Sequence, residues 1–130
     1  MIQAKKDLLN YRISRAEESL EETRILASAS HWNACVNRLY YACFYIVSAL
    51  LIKNDLSSAK HSGIRSLFNR YYVKTGIIAK NIAEIYNFLF ERRQESDYDD
   101  FVTFSEFDVT PWIDDTDIFI NIIKKLLTEE

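Results

Sequence analysis

The segment ERRQESDYDD, residues 91–100, sets two arginines beside a run of carboxylates and a tyrosine. At helical spacing Arg93 and Asp97 lie one turn apart and can touch, as can Arg92 and Glu95 or Ser96. Such a contact is either a surface ion pair worth a few tenths of a kcal/mol, roughly, or part of a built site. Two features make stability a poor explanation. An arginine N-terminal to its acid is the weaker order, and an acid near a helix C-terminus opposes the helix dipole. A guanidinium stays charged and donates two parallel hydrogen bonds, which suits it to anions.

Arg38, Tyr41 and Tyr45 form a second stripe at i, i+3 and i+7, turned away from an aliphatic seam. A buried arginine needs a partner, and the acidic end of the segment above is the expected one. The stripe is a ligand pocket, or Arg38 makes a structural salt bridge while the tyrosines pack. His61 stands in KHSG, where a helix start could hold an anion or the imidazole could serve as a local cap or surface group. Two histidines without matched cysteines make no zinc motif. The clusters Asp97, Asp99, Asp100 and Asp114, Asp115, Asp117 lack the order of a calcium loop, so no metal and no cofactor is expected. Phosphate-cradling glycine loops, nucleophile elbows and Cys-His pairs are absent, which excludes many familiar enzymes.

Helices must position these groups, because two glycines and one proline in 130 residues are too few for a fold of tight turns. His31 to Asn54 is the central helix, with Trp32, Cys35, Val36, Leu39, Tyr40, Cys43, Phe44, Val47, Leu50 and Leu51 on a wide apolar face. Before it, Lys5 to Ser28 is amphipathic, with Leu9, Ile13, Ala16, Leu20, Thr23 and Ala27 inward. Ser30 is the expected N-cap of the central helix, and the short link predicts an αα-hairpin. A third helix is expected from Lys60 to Lys74 with Ile64, Leu67, Phe68 and Tyr71 inward, stopping at Gly76. A fourth runs from Ala79 to Tyr98 on Ile82, Ile85, Tyr86, Leu89 and Phe90. The loop 99–104 should pack Phe101, Val102 and Phe104 on the bundle. The last helix starts at Ser105 or Thr110, and Thr110 before Pro111 is the better start signal. The expectation is one all-α domain over residues 1–130, a five-helix antiparallel bundle with an up-and-down core.

The net charge of −3 advertises no basic field for nucleic acid, so any such site must be a local patch. Cys35 and Cys43, about 12 Å apart along one helix, cannot bridge and read as free buried thiols in a reducing compartment. MIQAKKDLLNYR lacks the apolar core of a signal peptide, and the apolar run Ala42 to Ile52 is about half a membrane span. A cytoplasmic protein with no membrane association is the expectation.

NRLYYACF (37–44), KHSGIRSLFNRYYVKTG (60–76) and LFERRQESDYDDF (89–101), in this order, resemble the HEPN superfamily, in particular its small single-domain bacterial and archaeal branch. The resemblance covers nearly the whole chain from Ser14 onward. It implies a helical bundle, often a homodimer, that is either a metal-independent ribonuclease or toxin or the partner of a minimal nucleotidyltransferase antitoxin. Ribonuclease members carry an arginine, a spacer of four to six residues and a histidine near the end of a bundle helix. Here Arg92 or Arg93 is followed by Asp97 and Tyr98, and the histidine is missing. The resemblance gives Arg93 the role of binding phosphate or stabilising charge on a phosphodiester. Asp97 would orient Arg93 or a ribose hydroxyl, and Tyr98 would donate a proton or stack. Without an imidazole, Asp97 is a poor base near neutral pH unless burial raises its pKa.

Overall fold

The computed structural model describes residues 2–128, and among them there are five α-helices and no strand. The helices are α1 (Gln3–Ser28), α2 (Trp32–Lys53), α3 (His61–Phe68), α4 (Lys80–Tyr98) and α5 (Glu106–Thr128). A π-helical turn, Asn69–Val73, continues α3. The all-α five-helix bundle expected from the periodicity is what forms.

Helix α2 is the centre and packs on α1, α3, α4 and α5. Its seam Cys35, Val36, Leu39, Tyr40, Cys43, Val47, Leu50 and Leu51 is buried, as the three-and-four spacing requires. In length and composition α2 could cross a membrane, but 72% of that window is buried inside the protein, as befits a core helix. Leu9, Ala16, Leu20 and Thr23 of α1 lie against it as one arm of an αα-hairpin. Both cysteines are free and buried, and burial pushes their thiols up.

Several helix ends differ from expectation. Ser30 does not cap α2; it sits at φ 61 as the left-handed residue that ends α1. There its N–H donates to Ala27 and that of His31 to Leu26, which satisfies the last carbonyls of α1. Asp55 repeats this at φ 60 after α2, with its own N–H on Ile52 and that of Leu56 on Leu51. Helix α5 begins before Thr110, because Ser105 and Asp108 form a reciprocal cap: Ser105 N–H to Asp108 Oδ2 at 3.0 Å and Asp108 N–H to Ser105 Oγ at 3.3 Å. That cap, worth about 1 kcal/mol, carries the helix through Pro111.

The stripe on α3 is His61, Ile64, Phe68 and Tyr72, with Tyr71 left 40% exposed. The wider π-helical turn takes about one more residue to come back to the same face, so Tyr72 replaces Tyr71. Gly76, at φ 82, ends this segment as expected. In the 99–105 loop Val102 and Phe104 are partly buried, and Phe104 meets Trp112. Phe101, by contrast, is 94% exposed. The loop is held by Asn33 of α2, which donates to the Val102 carbonyl at 2.9 Å and accepts from Phe104 N–H at 2.8 Å. Phe101 falls between these anchors and the Asp99 turn, so its ring is displayed by a tied backbone.

Candidate functional site

Side chains from three helices meet where the middle of α2 faces the start of α3 and the last turns of α4. Helix α2 supplies Tyr40, Tyr41 and Phe44, α3 supplies His61 and Arg65, and α4 supplies Phe90, Arg93 and Asp97. Tyr40 is fully buried, with Tyr86 stacked at 6.2 Å and Phe90 edge-on at 5.7 Å. Its hydroxyl bonds the Nδ1 of His61 at 2.9 Å. The imidazole stacks on Phe44 with centroids 4.2 Å apart and stands edge-on to Tyr41 at 5.8 Å. Gly63 permits this placement: a Cβ there would lie 2.0 Å from Ser58 Oγ, so the loop before α3 could not close on its first turn.

Arg93 crosses the gap from α4. Its guanidinium carbon lies 4.9 Å from the centre of the Tyr40 ring and 5.4 Å from that of Tyr41. Its Nη2 reaches the Tyr41 hydroxyl at 3.5 Å. Nε is 2.9 Å from Asp97 Oδ2, close enough for an ion pair. The N–H is not aimed along that contact, so Nε makes no hydrogen bond. The pair expected from the sequence therefore exists, but Asp97 holds Arg93 by charge rather than by a directed bond. Arg65 lies 3.9 Å from the centre of the Phe90 ring and pairs with Glu91 at 2.9 Å.

The electrostatics follow from burial beside a fixed cation. Burial lowers the pKa of His61 below 6.5, and the positive charge of Arg93 adds to the effect. Burial pushes the Tyr40 phenol up, with Arg93 opposing. Tyr40 thus keeps its proton, and since no other acceptor takes it, the hydroxyl donates to Nδ1 of a neutral His61. The imidazole hydrogen is then on Nε2, which no protein group bonds among the described residues. A neutral imidazole with a free N–H beside a guanidinium is a receptor for an anion, and a bound anion would favour the imidazolium.

This has a consequence for stability. The folded pKa of His61 is depressed, so its contribution is fully present above the unfolded value of about 6.5 and is lost as pH falls through the folded value. Thermal melts between pH 7.5 and pH 5 should show a loss of stability on acidification that His61→Gln reduces. An unchanged slope in the variant would rule out a neutral, half-buried His61.

The remaining sequence candidates are divided. Arg38 does not reach the acidic end of α4. It bonds Asn37 Oδ1 at 2.8 and 3.1 Å, lies 3.7 Å from Glu22 of α1, and sits 4.9 Å from the centre of the Tyr41 ring. The reason is register: the antiparallel α1 brings Glu22 beside Arg38, while α4 sets Arg93 against Tyr40 and Tyr41. Tyr45 follows Tyr41 at 6.0 Å and lies against Arg12 and Arg15 of α1. Arg92 turns away to Glu95, at 2.7 Å, and to Phe88. Tyr98 is 87% exposed and is not part of the cluster. Tyr40 and Arg65 were not among the sequence candidates. Tyr40 reads as ordinary core from its spacing, and nothing local distinguishes Arg65. His61 carried a usable signal, since it shares the i, i+3, i+7 face of Ile64 and Phe68.

No group of His, Cys, Asp and Glu able to hold a metal is found among the described residues. A cavity of about 260 Å³ between α4 and α5, lined by Ile85, Phe88, Leu89 and Trp112 with Glu84 and Asp115, stands apart from the polar cluster.

The model for the HEPN domain matches residues 9–126. A "UPF0332 protein" of Thermotoga maritima is 41% identical, over 96% of this chain and 95% of its own length. Two proteins of Methanocaldococcus jannaschii, named "Putative toxin MJ0142" and "Putative toxin MJ0605", are each 32% identical. The first alignment covers 88% of this chain and 78% of the relative, the second 90% and 87%. With its five-helix architecture and a family match over almost its whole length, the chain belongs to the HEPN-domain family.

Proposed function

We propose that this protein acts on RNA or nucleotide phosphodiesters as a toxin-like HEPN component, through Arg93, His61, Tyr41 and Asp97. The carrying observation is that His61, on a different helix from Arg93, shares its aromatic cluster and is bonded to Tyr40. The imidazole missing from the α4 motif thus has a substitute from α3. The toxin-like character is supported by the names of two relatives.

In this reading Arg93 binds the phosphate and His61 Nε2–H donates to it. Asp97 Oδ1 is free among the described residues to accept a ribose hydroxyl, which would favour RNA over DNA. Cleavage forms a bond from the ribose 2′-oxygen to the adjacent phosphorus as the bond to the 5′-oxygen breaks. The 2′-hydroxyl proton passes to water. The 5′-oxygen takes a proton from Nε2 of the His61 imidazolium, a form the phosphate charge favours and in which the Tyr40 hydroxyl turns to accept from Nδ1–H; solvent later restores the proton. The reaction uses no metal, so purified protein should cleave RNA in the presence of EDTA. Intact RNA across a broad panel of substrates would overturn the catalytic part of this reading.

A second reading is favoured by the displayed aromatics Tyr98, Phe101 and Phe107, each at least 87% exposed. It makes the chain a non-catalytic binding module, dimeric and partnered by a minimal nucleotidyltransferase or another protein that covers this face. Tyr98 would then be open to modification. Co-purification of such a partner from the native host, with no RNA cleavage, would favour it. The free buried thiols suit a cytoplasmic location in either case.

A further inference from the structure

Beyond the His61–Arg93 cluster, α3 with its π-helical turn runs antiparallel to α4, and the two are cross-linked at intervals. Arg65 pairs with Glu91 at 2.9 Å. Further along, the amides of Asn69 and Asn87 exchange hydrogen bonds at 3.3 Å in both directions. At the far end a groove of about 520 Å³ opens, lined by Asn69, Arg70, Lys74, Lys80, Glu84 and Asn87 among others. Arg70, Lys74 and Lys80 have no carboxylate within 4 Å among the described residues, and Glu84 is the one acid on the lining. The first turn of α4 adds a positive helix end with no side-chain cap and no acidic residue.

We propose that this groove is a phosphate-binding subsite for the backbone of a single-stranded polynucleotide whose reacting phosphate sits at Arg93 and His61. It rests on the reading of the cluster as a phosphodiester site and says which substrates that site takes: strands rather than mononucleotides. From Lys80 to Arg93 along α4 is about 20 Å, the reach of a short oligonucleotide rather than of one nucleotide. Charge distribution sets the route. Residues 94–123 hold nine Asp and Glu and no Lys or Arg, against ten acids and sixteen bases elsewhere. A polyanion is therefore repelled on the α5 side of Arg93. On the α1 side Arg15 and Arg38 already face Glu18 and Glu22. Arg70, Lys74 and Lys80, which have no carboxylate partner among the described residues, line one groove on the α3–α4 seam. The reciprocal Asn69–Asn87 pair leaves amide hydrogens and lone pairs for base or ribose groups without adding charge.

The test is fluorescence anisotropy of labelled oligoribonucleotides, a decamer and a dinucleotide, over a salt series. The variant Arg70→Gln/Lys74→Gln/Lys80→Gln is compared with a charge-matched control, Lys6→Gln/Arg24→Gln/Lys125→Gln. All six positions are exposed, so both variants should fold. The groove variant should bind the decamer at least about tenfold more weakly, with a salt slope shallower by about 2, since three phosphate contacts are lost. Its dinucleotide affinity should match that of the unaltered protein, and the control should lose little. If the unaltered protein binds the decamer and the groove variant binds it equally well, or the control falls as far, the groove is not a subsite while the cluster reading stands. If the unaltered protein binds neither oligonucleotide, both fall.

Discussion

Arg93→Ala should lower RNA cleavage by roughly two to three orders of magnitude, the usual effect of removing one preorganised donor from a developing oxyanion. The fold should survive. Arg93 is partly exposed, its contact with Asp97 is an ion pair at a helix end, and its packing on Tyr40 and Tyr41 adds cation–π attraction. Together these are worth about 1–2 kcal/mol, a minor part of the roughly 5–15 kcal/mol that holds a domain of this kind. Gel assays of cleavage and far-UV circular dichroism, run on the same preparation, separate the two effects. Arg93→Lys keeps the charge but loses the forked donors, so it should recover only part of the rate. A variant that cleaves at the normal rate would remove Arg93 from the mechanism.

Phe119→Ala should be the most damaging single change to stability, costing about 3–5 kcal/mol. Phe119 on α5 is fully buried and meets Phe68 of α3 at 6.0 Å and Tyr86 of α4 at 6.1 Å. Its loss opens a cavity where three helices join, and rings on separate helices cannot collapse into it without moving backbone. Urea unfolding should show the midpoint falling sharply, with a melting temperature lower by roughly 10–20 °C. Phe107→Ala on the same helix is the internal comparison. Phe107 is 89% exposed, so its removal should change stability by no more than about 0.5 kcal/mol. Equal losses at the two positions would contradict the packing of α5.

The cluster also constrains how the two variants interact. Tyr86 stacks on Tyr40, whose hydroxyl holds His61. The Tyr86 ring on α4 and the His61 imidazole on α3 are thus two contacts apart. Phe119→Ala is therefore expected to loosen His61 as well as destabilise the fold, whereas Phe107→Ala should leave the site alone.

Much of this architecture was legible without coordinates. The spacing of Leu9, Ala16, Leu20 and Thr23, of Val36, Leu39, Cys43 and Val47, and of Tyr86, Leu89 and Phe90 marks the buried faces of α1, α2 and α4 directly, because a helix brings every third or fourth residue to one side by local geometry. The Arg93–Asp97 pair was legible for the same reason. The helix ends were less so. Thr110–Pro111 is the stronger start signal, yet the Ser105–Asp108 cap begins α5 a turn earlier, since a proline inside the second turn loses only one backbone bond.

What tertiary structure alone decided is which faces meet. No local rule pairs His61 with Tyr40, twenty-one residues away, or Tyr41 with Arg93, fifty-two away. Nor does any assign Arg38 to Glu22 instead of to the acids of α4. These contacts depend on the rotation and register of whole helices, which are set by how all the apolar faces pack at once. Helix content and the motif on α4 were thus properties of the chain as written. The bond from Tyr40 to His61, the arginine cradled by tyrosines, and the basic seam beside them exist only because five helices share one core.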